Sequence, residues 1–184
     1  MPEKFIQLLK AKNIFNECEL KDHPDTCCNT LNTKVINFDE IKKTFFTTLS
    51  LNACPCGSVD VLYLSKDKSK LFLIEMKSKN TSRNIKDWVS DYFKSDEVPK
   101  QIIESIILIL GISGYYRIEK DFYNYIFDNS KRLKAIFLSN FTDRELATLT
   151  MASMHKRNLK NTKMISGKIG IYNNQSIQDF FTNN

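Results

Sequence analysis

Two apolar segments carry charged residues at one end, where they could perform chemistry. Asp60 lies near the start of the segment VDVLYL, and Glu75, Met76 and Lys77 close the segment LFLIEMK. Charged groups are costly to bury unless they are paired. Carboxylates held close together repel each other, but a divalent cation reverses that balance, and carboxylate oxygens suit Mg²⁺ or Mn²⁺. Asp60 and Glu75 are therefore candidate metal ligands.

A hairpin would bring these residues together. Val59–Ser65 and Leu71–Lys77 have the composition of strands, and the polar turn Lys66–Lys70 separates them. Folding back through this turn places the start of the first strand beside the end of the second. We therefore expect Asp60 to lie close to Glu75.

Lys77 extends this candidate site. Side chains alternate between the two faces of a strand, so Lys77 shares a face with Glu75 while Met76 points to the other face. A metal held by the carboxylates would neutralise charge on a scissile phosphate, and Lys77 could orient the attacking water, help to deprotonate it or stabilise the transition state. Two alternatives stay open: Asp60 could cap a turn after Gly57, and Lys77 could form an ordinary ion pair at a solvated strand end.

The elements that must position these residues follow from caps and periodicity. Asn37 and Glu40 have capping-box spacing, which predicts a helix with Ile41, Phe45 and Leu49 on one face. Further predicted elements are a short strand ending at Cys54–Gly57, a helix over Ile85–Phe93, a buried helix from about Pro99 to just before Gly111, a helix over Lys120–Phe127, a strand over Ala135–Ser139, a helix from Thr142 to about His155 and a strand over Lys168–Tyr172. This order predicts an α/β fold with a mixed central sheet flanked by helices.

The composition favours one soluble domain. The chain has 184 residues and a net charge of +6. Its length suits a single core, and no apolar run has the length of a bilayer span, so we expect an intracellular, cytoplasmic protein without membrane association. The positive charge is compatible with a polyanionic partner, and part of it lies in the Lys-rich segment from His155 to Lys168, which could follow a phosphate backbone or simply be solvated.

Asp60 and the triplet Glu75-Met76-Lys77 resemble the signature of the PD-(D/E)XK nuclease superfamily, although Val59 stands where a Pro often precedes the Asp. The resemblance implies a restriction endonuclease-like αβββαβ core over residues 38–140, with an N-terminal Cys-containing extension over 1–33 and a C-terminal addition over 141–184. It also implies Mg²⁺- or Mn²⁺-dependent hydrolysis of DNA phosphodiester bonds. Asp60, Glu75 and the Met76 main-chain carbonyl would then bind the metal, with Lys77 assisting the water.

The resemblance suggests two more site residues. Some members of the superfamily place an acidic metal ligand on the first core helix, which Glu40 matches. The RecB-like branch has a Gln on the helix after the triplet, which Gln101 matches, although Ile and Leu fill the positions where a Tyr often follows. Each residue also has a simpler explanation, because Glu40 fits a capping role and Gln101 fits an exposed first turn.

A cysteine-rich region precedes the candidate site. Thiolates and imidazole could bind a structural zinc ion, although the spacing contains no CxxC pair, and reduced thiols are the alternative. The candidate ligands are Cys18, His23, Cys27, Cys28, Cys54 and Cys56.

Two other functions compete with catalysis. The chain could be a non-catalytic nucleic-acid-binding or assembly module that keeps the nuclease fold, or a zinc-stabilised interaction protein whose charged triplet is incidental. A homodimer would supply two active sites for cutting both DNA strands, although no interface can be read from the sequence.

Overall fold

The computed structural model describes residues 2–28, 30–51, 56–78, 87, 97–118, 123–125, 133–147 and 169–184. The helices are α1 (Pro2–Ala11), α2 (Phe38–Thr48), α3 (Glu97–Tyr115) and α4 (Asn174–Asn183), with a 3₁₀ turn over Leu20–Asp22. The strands are β1 (Glu17–Glu19), β2 (Lys34–Asn37), β3 (Val61–Leu64), β4 (Leu71–Lys77), β5 (Leu133–Ser139) and β6 (Gly170–Tyr172).

The six strands form one mixed sheet in which their spatial order follows the chain. Strands β1 to β4 pair antiparallel, whereas β5 pairs parallel with β4 and β6 pairs parallel with β5. The parallel step from β4 to β5 requires a crossover, and α3 lies in that connection. The predicted α/β class with a mixed sheet flanked by helices is confirmed.

Alternating side chains divide the core between the two faces of the sheet. On one face, Leu71 and Leu73 of β4 belong to a cluster that also contains buried residues of α1, α2 and α3. On the other face, Ile74 and Met76 belong to a cluster that contains Ile177 of α4. Glu75 lies between Ile74 and Met76 in sequence, so alternation directs it to the face that carries α1, α2 and α3.

The hairpin and the first cap are confirmed. Strands β3 and β4 pair antiparallel across the turn, and β4 has the predicted bounds. Asn37 caps α2, because its Oδ1 accepts a hydrogen bond from the Glu40 amide at 3.0 Å. The predicted strand over Ala135–Ser139 is present and begins two residues earlier, and the last strand is shorter than predicted.

The predicted end of one helix is wrong, and the described part of one predicted short strand is not a strand. Helix α3 runs through Gly111 to Tyr115, because Ile112 and Ser113 are buried and their packing outweighs the low helix propensity of one glycine. The strand beside β3 is β2, which precedes α2; Cys56 and Gly57 are not in a strand, and residues 52–55 lie outside the described residues. Three other predicted features lie outside the described residues, apart from Asp87 and residues 123–125. They are the helix over Ile85–Phe93, most of the helix over Lys120–Phe127 and the basic segment from His155 to Lys168.

Helix α3 is long and apolar enough to cross a membrane on length and composition alone. Half of its most apolar window is nevertheless buried inside the protein, and Ile102, Ile106 and Ile109 belong to the core cluster on the sheet. This burial is that of a core helix, and the described fold is a soluble α/β domain. Its cytoplasmic location stays a prediction.

Candidate functional site

The register of the hairpin places the two predicted carboxylates opposite each other. Val61 pairs with Ile74, so the residues one step further along, Asp60 and Glu75, oppose each other at the end of the ladder. Asp60 is 6% exposed and Glu75 is 0% exposed. One Asp60 oxygen, Oδ2, accepts a hydrogen bond from the Met76 amide at 2.5 Å. The two carboxylates are thus buried together between strands that the sequence already predicted.

Glu75 has fewer partners than a buried carboxylate normally requires. The Lys77 Nζ atom lies 2.8 Å from Glu75 Oε1, and 3.8 Å from Oε1 of Glu97 on α3. Apart from this contact with Lys77, neither Glu75 oxygen has a hydrogen-bond partner within the described residues. Such a group is destabilising unless a further partner, such as a cation, completes its coordination.

Burial and like charge shift both carboxylate pKa values upward. Burial raises the pKa of Asp60 to about 7, with partial opposition from the Met76 amide and the Lys77 charge. Burial, followed by the charge of Asp60, raises the pKa of Glu75 to about 8 despite the nearby Lys77. For Lys77 burial acts to lower the pKa, but the charge and contact of Glu75 outweigh it and the pKa is raised. Lys77 is therefore an ammonium group at neutral pH.

The carboxylate that α2 contributes is Asp39, which corrects the prediction of Glu40. Carboxylate oxygens of Asp25, Asp39 and Asp60 lie within 4.8 Å of one another. Glu40 is absent from this group and instead pairs with Lys43 at 2.5 Å on the exposed side of the helix. Adjacent helical residues project about 100° apart, so only one of these two first-turn acids can face Asp60.

Asp39 also helps to hold the chain that leads to Asp60. Its Oδ1 accepts hydrogen bonds from the Lys42 ammonium, at 2.8 Å, and from the Ser58 hydroxyl. Lys42 donates a second hydrogen bond to Ser58 Oγ at 2.7 Å. Ser58 is buried two residues before Asp60, so this network fixes the entry of the chain into the site.

Helix α3 holds the same segment from the other side. Glu104 Oε2 accepts a hydrogen bond from the Gly57 amide at 2.7 Å, and Ser105 Oγ accepts one from the Val59 amide at 2.7 Å. A Cβ atom at residue 57 would lie 2.6 Å from Glu104 Oε2, so the close approach of this carboxylate favours glycine. Glu104 and Ser105 were predictable as one polar stripe on the helix, but their backbone partners were not.

Gln101 lies on this stripe next to Gly57. Its Cγ atom would be 3.5 Å from a Cβ at that position, and its Oε1 atom is buried without a hydrogen-bond partner in the described part of the chain. Its main-chain oxygen accepts a hydrogen bond from the Ser105 hydroxyl at 2.7 Å. Its side chain is thus turned inward near the site, and its catalytic role stays a prediction.

Replacing Ser105 by Ala tests whether α3 positions the segment before Asp60. We expect Ser105→Ala to lower the free energy of unfolding by about 1–3 kcal/mol, because the buried Val59 amide loses its acceptor. Ser113→Ala is the matched control, since this hydroxyl is buried in the same helix and has no hydrogen-bond partner among the described residues. Urea titration should show no loss for the control; equal losses in both variants would contradict the positioning role.

The described cysteines and His23 make local contacts with other residues. Cys27 and Cys28 are buried with their sulfur atoms 3.8 Å apart, and the Cys28 thiol donates to Asn174 Oδ1 at 2.8 Å. His23 Nδ1 instead accepts from the Asp25 amide at 3.2 Å. The described residues hold no group of three cysteine or histidine ligands close enough for zinc, and Cys54 lies outside them.

No family model, curated protein or solved structure matches the chain. Sequence reasoning missed Asp25 and Asp39 as neighbours of Asp60. Asp39 had a detectable signal, because it shares the acidic first turn of α2 with Glu40. Asp25 had none, because it lies in a segment without clear periodicity.

Proposed function

We propose that this protein is a metal-dependent nuclease that hydrolyses DNA phosphodiester bonds. The observation that carries the proposal is the pair Asp60 and Glu75, buried opposite each other at the end of a hairpin, with Lys77 against Glu75. Apart from Lys77, the fully buried Glu75 has no hydrogen-bond donor in the described part of the chain. A cation would relieve both its desolvation and its repulsion from Asp60.

The donor set fits a hard divalent cation. Asp60 and Glu75 would bind Mg²⁺ or Mn²⁺, with the Met76 main-chain carbonyl and the Asp39 carboxylate as further oxygen donors. When bound, the metal would lower the pKa of its water and neutralise charge on the scissile phosphate. The Met76 amide holds one Asp60 oxygen at 2.5 Å, which orients the carboxylate.

Lys77 is assigned to orientation and charge stabilisation. Its raised pKa keeps it protonated, which disfavours a role as proton acceptor. An ammonium group that already contacts Glu75 can donate hydrogen bonds to the attacking water and to a phosphate oxygen as negative charge develops there. Gln101 is proposed to contact substrate or water, because its Oε1 atom is buried and without a partner in the described residues.

The finer fold assignment, restriction endonuclease-like, belongs to the same proposal. From α2 to β5 the chain forms a helix, a two-stranded hairpin, a second helix and a strand that pairs parallel with the hairpin. This order of elements supports the assignment. One feature departs from the αβββαβ order: the strand that pairs with β3 on its outer side precedes α2 instead of following it. DNA as the substrate is supported by the resemblance and by the net charge of +6.

Cleavage of circular and linear DNA tests the proposal. Wild-type protein, Asp60→Ala and Lys77→Ala are each incubated with Mg²⁺, Mn²⁺ or chelator. We expect metal-dependent cleavage by the wild type and its loss in both variants, and cutting of the circular substrate would show endonuclease activity. If the wild type cuts neither substrate, or if all three proteins cut equally, the proposal fails. Binding of DNA in chelator without any cleavage would favour the non-catalytic module.

A further inference from the structure

A cleft lined by four lysines lies between α1 and the turn of the hairpin, at the end of β3 away from Asp60. Its volume is about 290 Å³. Lys10 belongs to α1, Lys34 to β2, and Lys66 and Lys68 to the turn between β3 and β4. One acidic residue of the described chain, on β1, lines the same cleft. Four cations from three separate parts of the chain thus converge here, and we call this feature the lysine cleft.

Two of these lysines form ion pairs at the surface. The Lys34 Nζ atom lies 3.6 Å from Oε2 of Glu17, and the Lys68 Nζ atom lies 2.6 Å from Oε1 of Glu3. The side chains of Lys34 and Lys68 are 73% and 55% exposed, so both pairs are screened by water. Both ammonium groups therefore stay accessible to a further anion.

The other two lysines have no acidic partner among the described residues. The Lys10 Nζ atom lies 4.5 Å from the centre of the Phe15 ring, and Lys66 Nζ donates to the Thr182 main-chain oxygen at 2.7 Å. Like charges repel each other where they converge, and a bound anion removes that repulsion. The lysine cleft is therefore a candidate anion site.

The floor of the lysine cleft is apolar. Leu62 and Leu64 of β3 line it together with Ile36 of β2 and with Phe15. Phe15 and Leu64 are half-buried, whereas Ile36 and Leu62 are buried. A ligand would meet ammonium groups at the rim and an aromatic and aliphatic surface below them. Sites for single-stranded nucleic acid combine these two features, because a strand presents both phosphates and planar bases.

The choice of lysine favours a phosphate backbone over other anions. A Lys ammonium is a compact point charge that binds phosphate without a fixed direction, whereas bidentate recognition of a carboxylate is typical of Arg. Among the described residues that line the cleft there is no Arg. The cleft is also concave and at the small end of ligand pockets, which suits one unpaired nucleotide better than the surface of a bilayer.

We propose that the lysine cleft binds one unpaired nucleotide of a single-stranded nucleic acid, with the flanking phosphates against the lysines and the base against Phe15 and Leu64. Strand β3 begins directly after Asp60, so Leu62 and Leu64 lie about 7–13 Å along the strand from it. Folds that bind single strands contact about 4–16 nucleotides, so one strand is long enough to reach both places. The inference rests on the proposed function in taking nucleic acid as the partner, and it adds where the strand is held outside the catalytic pair.

Binding of a labelled single-stranded oligodeoxythymidine tests this proposal without any cleavage. The full chain is titrated in chelator at several salt concentrations, and fluorescence anisotropy reports binding. We expect Lys10→Gln/Lys34→Gln to bind at least about tenfold more weakly than the wild type, with a slope of log K against log salt smaller by about one, because phosphate contacts are lost. Lys10→Gln alone breaks no ion pair with a described residue and should weaken binding by about threefold or more.

Lys12→Gln/Lys21→Gln is the matched control, because it removes the same charge outside the cleft. Lys12 contacts an aromatic ring, as Lys10 does. Lys21 pairs with a glutamate of β1, as Lys34 does. The control should bind within about threefold of the wild type, and the urea midpoints of both double variants should stay close to that of the wild type.

The outcomes separate this inference from the proposed function. Equal weakening in the two double variants would show a dependence on net charge alone, and the inference fails. If the cleft variant binds the oligonucleotide normally while the wild type cuts DNA, the inference fails and the proposed function stands. Binding that depends on the cleft in a protein that cuts no DNA supports the inference and overturns the nuclease. Wild type that binds thymidine monophosphate as tightly as the oligonucleotide, or binds phosphatidylserine vesicles instead of it, overturns the inference.

Discussion

Replacing Glu75 by Gln is expected to lower the rate of metal-dependent DNA cleavage by about a thousandfold or more and, in chelator at pH 8, to stabilise the protein. The activity falls because a neutral amide is a poor replacement for a carboxylate metal ligand. The stability rises because burial and the charge of Asp60 disfavour the ionised Glu75 more than Lys77 favours it, and Gln removes both the buried charge and its repulsion from Asp60. Opposite changes in activity and stability are typical of a residue retained for function.

Glu40→Gln is the matched control for this substitution. Glu40 pairs with Lys43 on the exposed side of α2, outside the acidic group around Asp60. We expect the control to keep cleavage within about threefold of wild type and to change stability by no more than about 0.5 kcal/mol. Cleavage rates and urea midpoints of both variants check the prediction. A Glu75→Gln protein that cuts DNA normally would remove Glu75 from the mechanism.

The free energy of unfolding in chelator is expected to fall by several kcal/mol as the pH rises from about 5 to about 8.5. The folded-state pKa values of Asp60 and Glu75 are raised to about 7 and about 8, above their ordinary values of 3.8 and 4.5. Between these limits the folded protein binds more protons than the unfolded chain. The resulting stabilisation is fully present below the ordinary pKa values and is lost as the pH rises through the raised ones.

The double variant Asp60→Asn/Glu75→Gln isolates this contribution, because it cannot titrate at either position. His23 acts in the opposite direction, since burial lowers its pKa and its own contribution to stability grows as the pH rises toward 6.5. The comparison with the double variant cancels that effect. We expect a flatter pH profile for the double variant in urea titrations; parallel profiles would show that the two carboxylates are not coupled to stability.

Mg²⁺ or Mn²⁺ at about one hundred times Kd should flatten the pH profile of the wild type. The metal binds the deprotonated carboxylates, so its stabilising effect grows with pH and reaches about 2.7 kcal/mol at a concentration one hundred times Kd. The double variant should gain much less. An unchanged wild-type profile in metal would argue against a cation at Asp60 and Glu75.

The local elements of the site were predictable from the sequence. Apolar alternation and the polar turn predicted β3 and β4, and the capping residue Asn37 predicted the start of α2. Strand periodicity then placed Glu75 and Lys77 on one face, with Asp60 opposite. These predictions succeeded because they depend on contacts between residues that are close in sequence.

Which residues and strands lie next to each other across the fold could be known only from the tertiary structure. Sequence spacing could not decide between Asp39 and Glu40, since both lie in the first turn of α2 and only the orientation of the helix against the sheet separates them. Periodicity also could not assign β2 as the neighbour of β3, because strand order depends on long-range packing.

The sequence by itself therefore determined the hairpin and the chemical types that it presents, two carboxylates and a lysine. Only the tertiary structure decided that Asp25 joins them and that Ser105 and Glu104 hold the chain in place. The physical reason is distance along the chain: propensity, capping and alternation act over a few residues. The contacts of Asp25 and α3 with this segment form only when the whole sheet and its helices pack together.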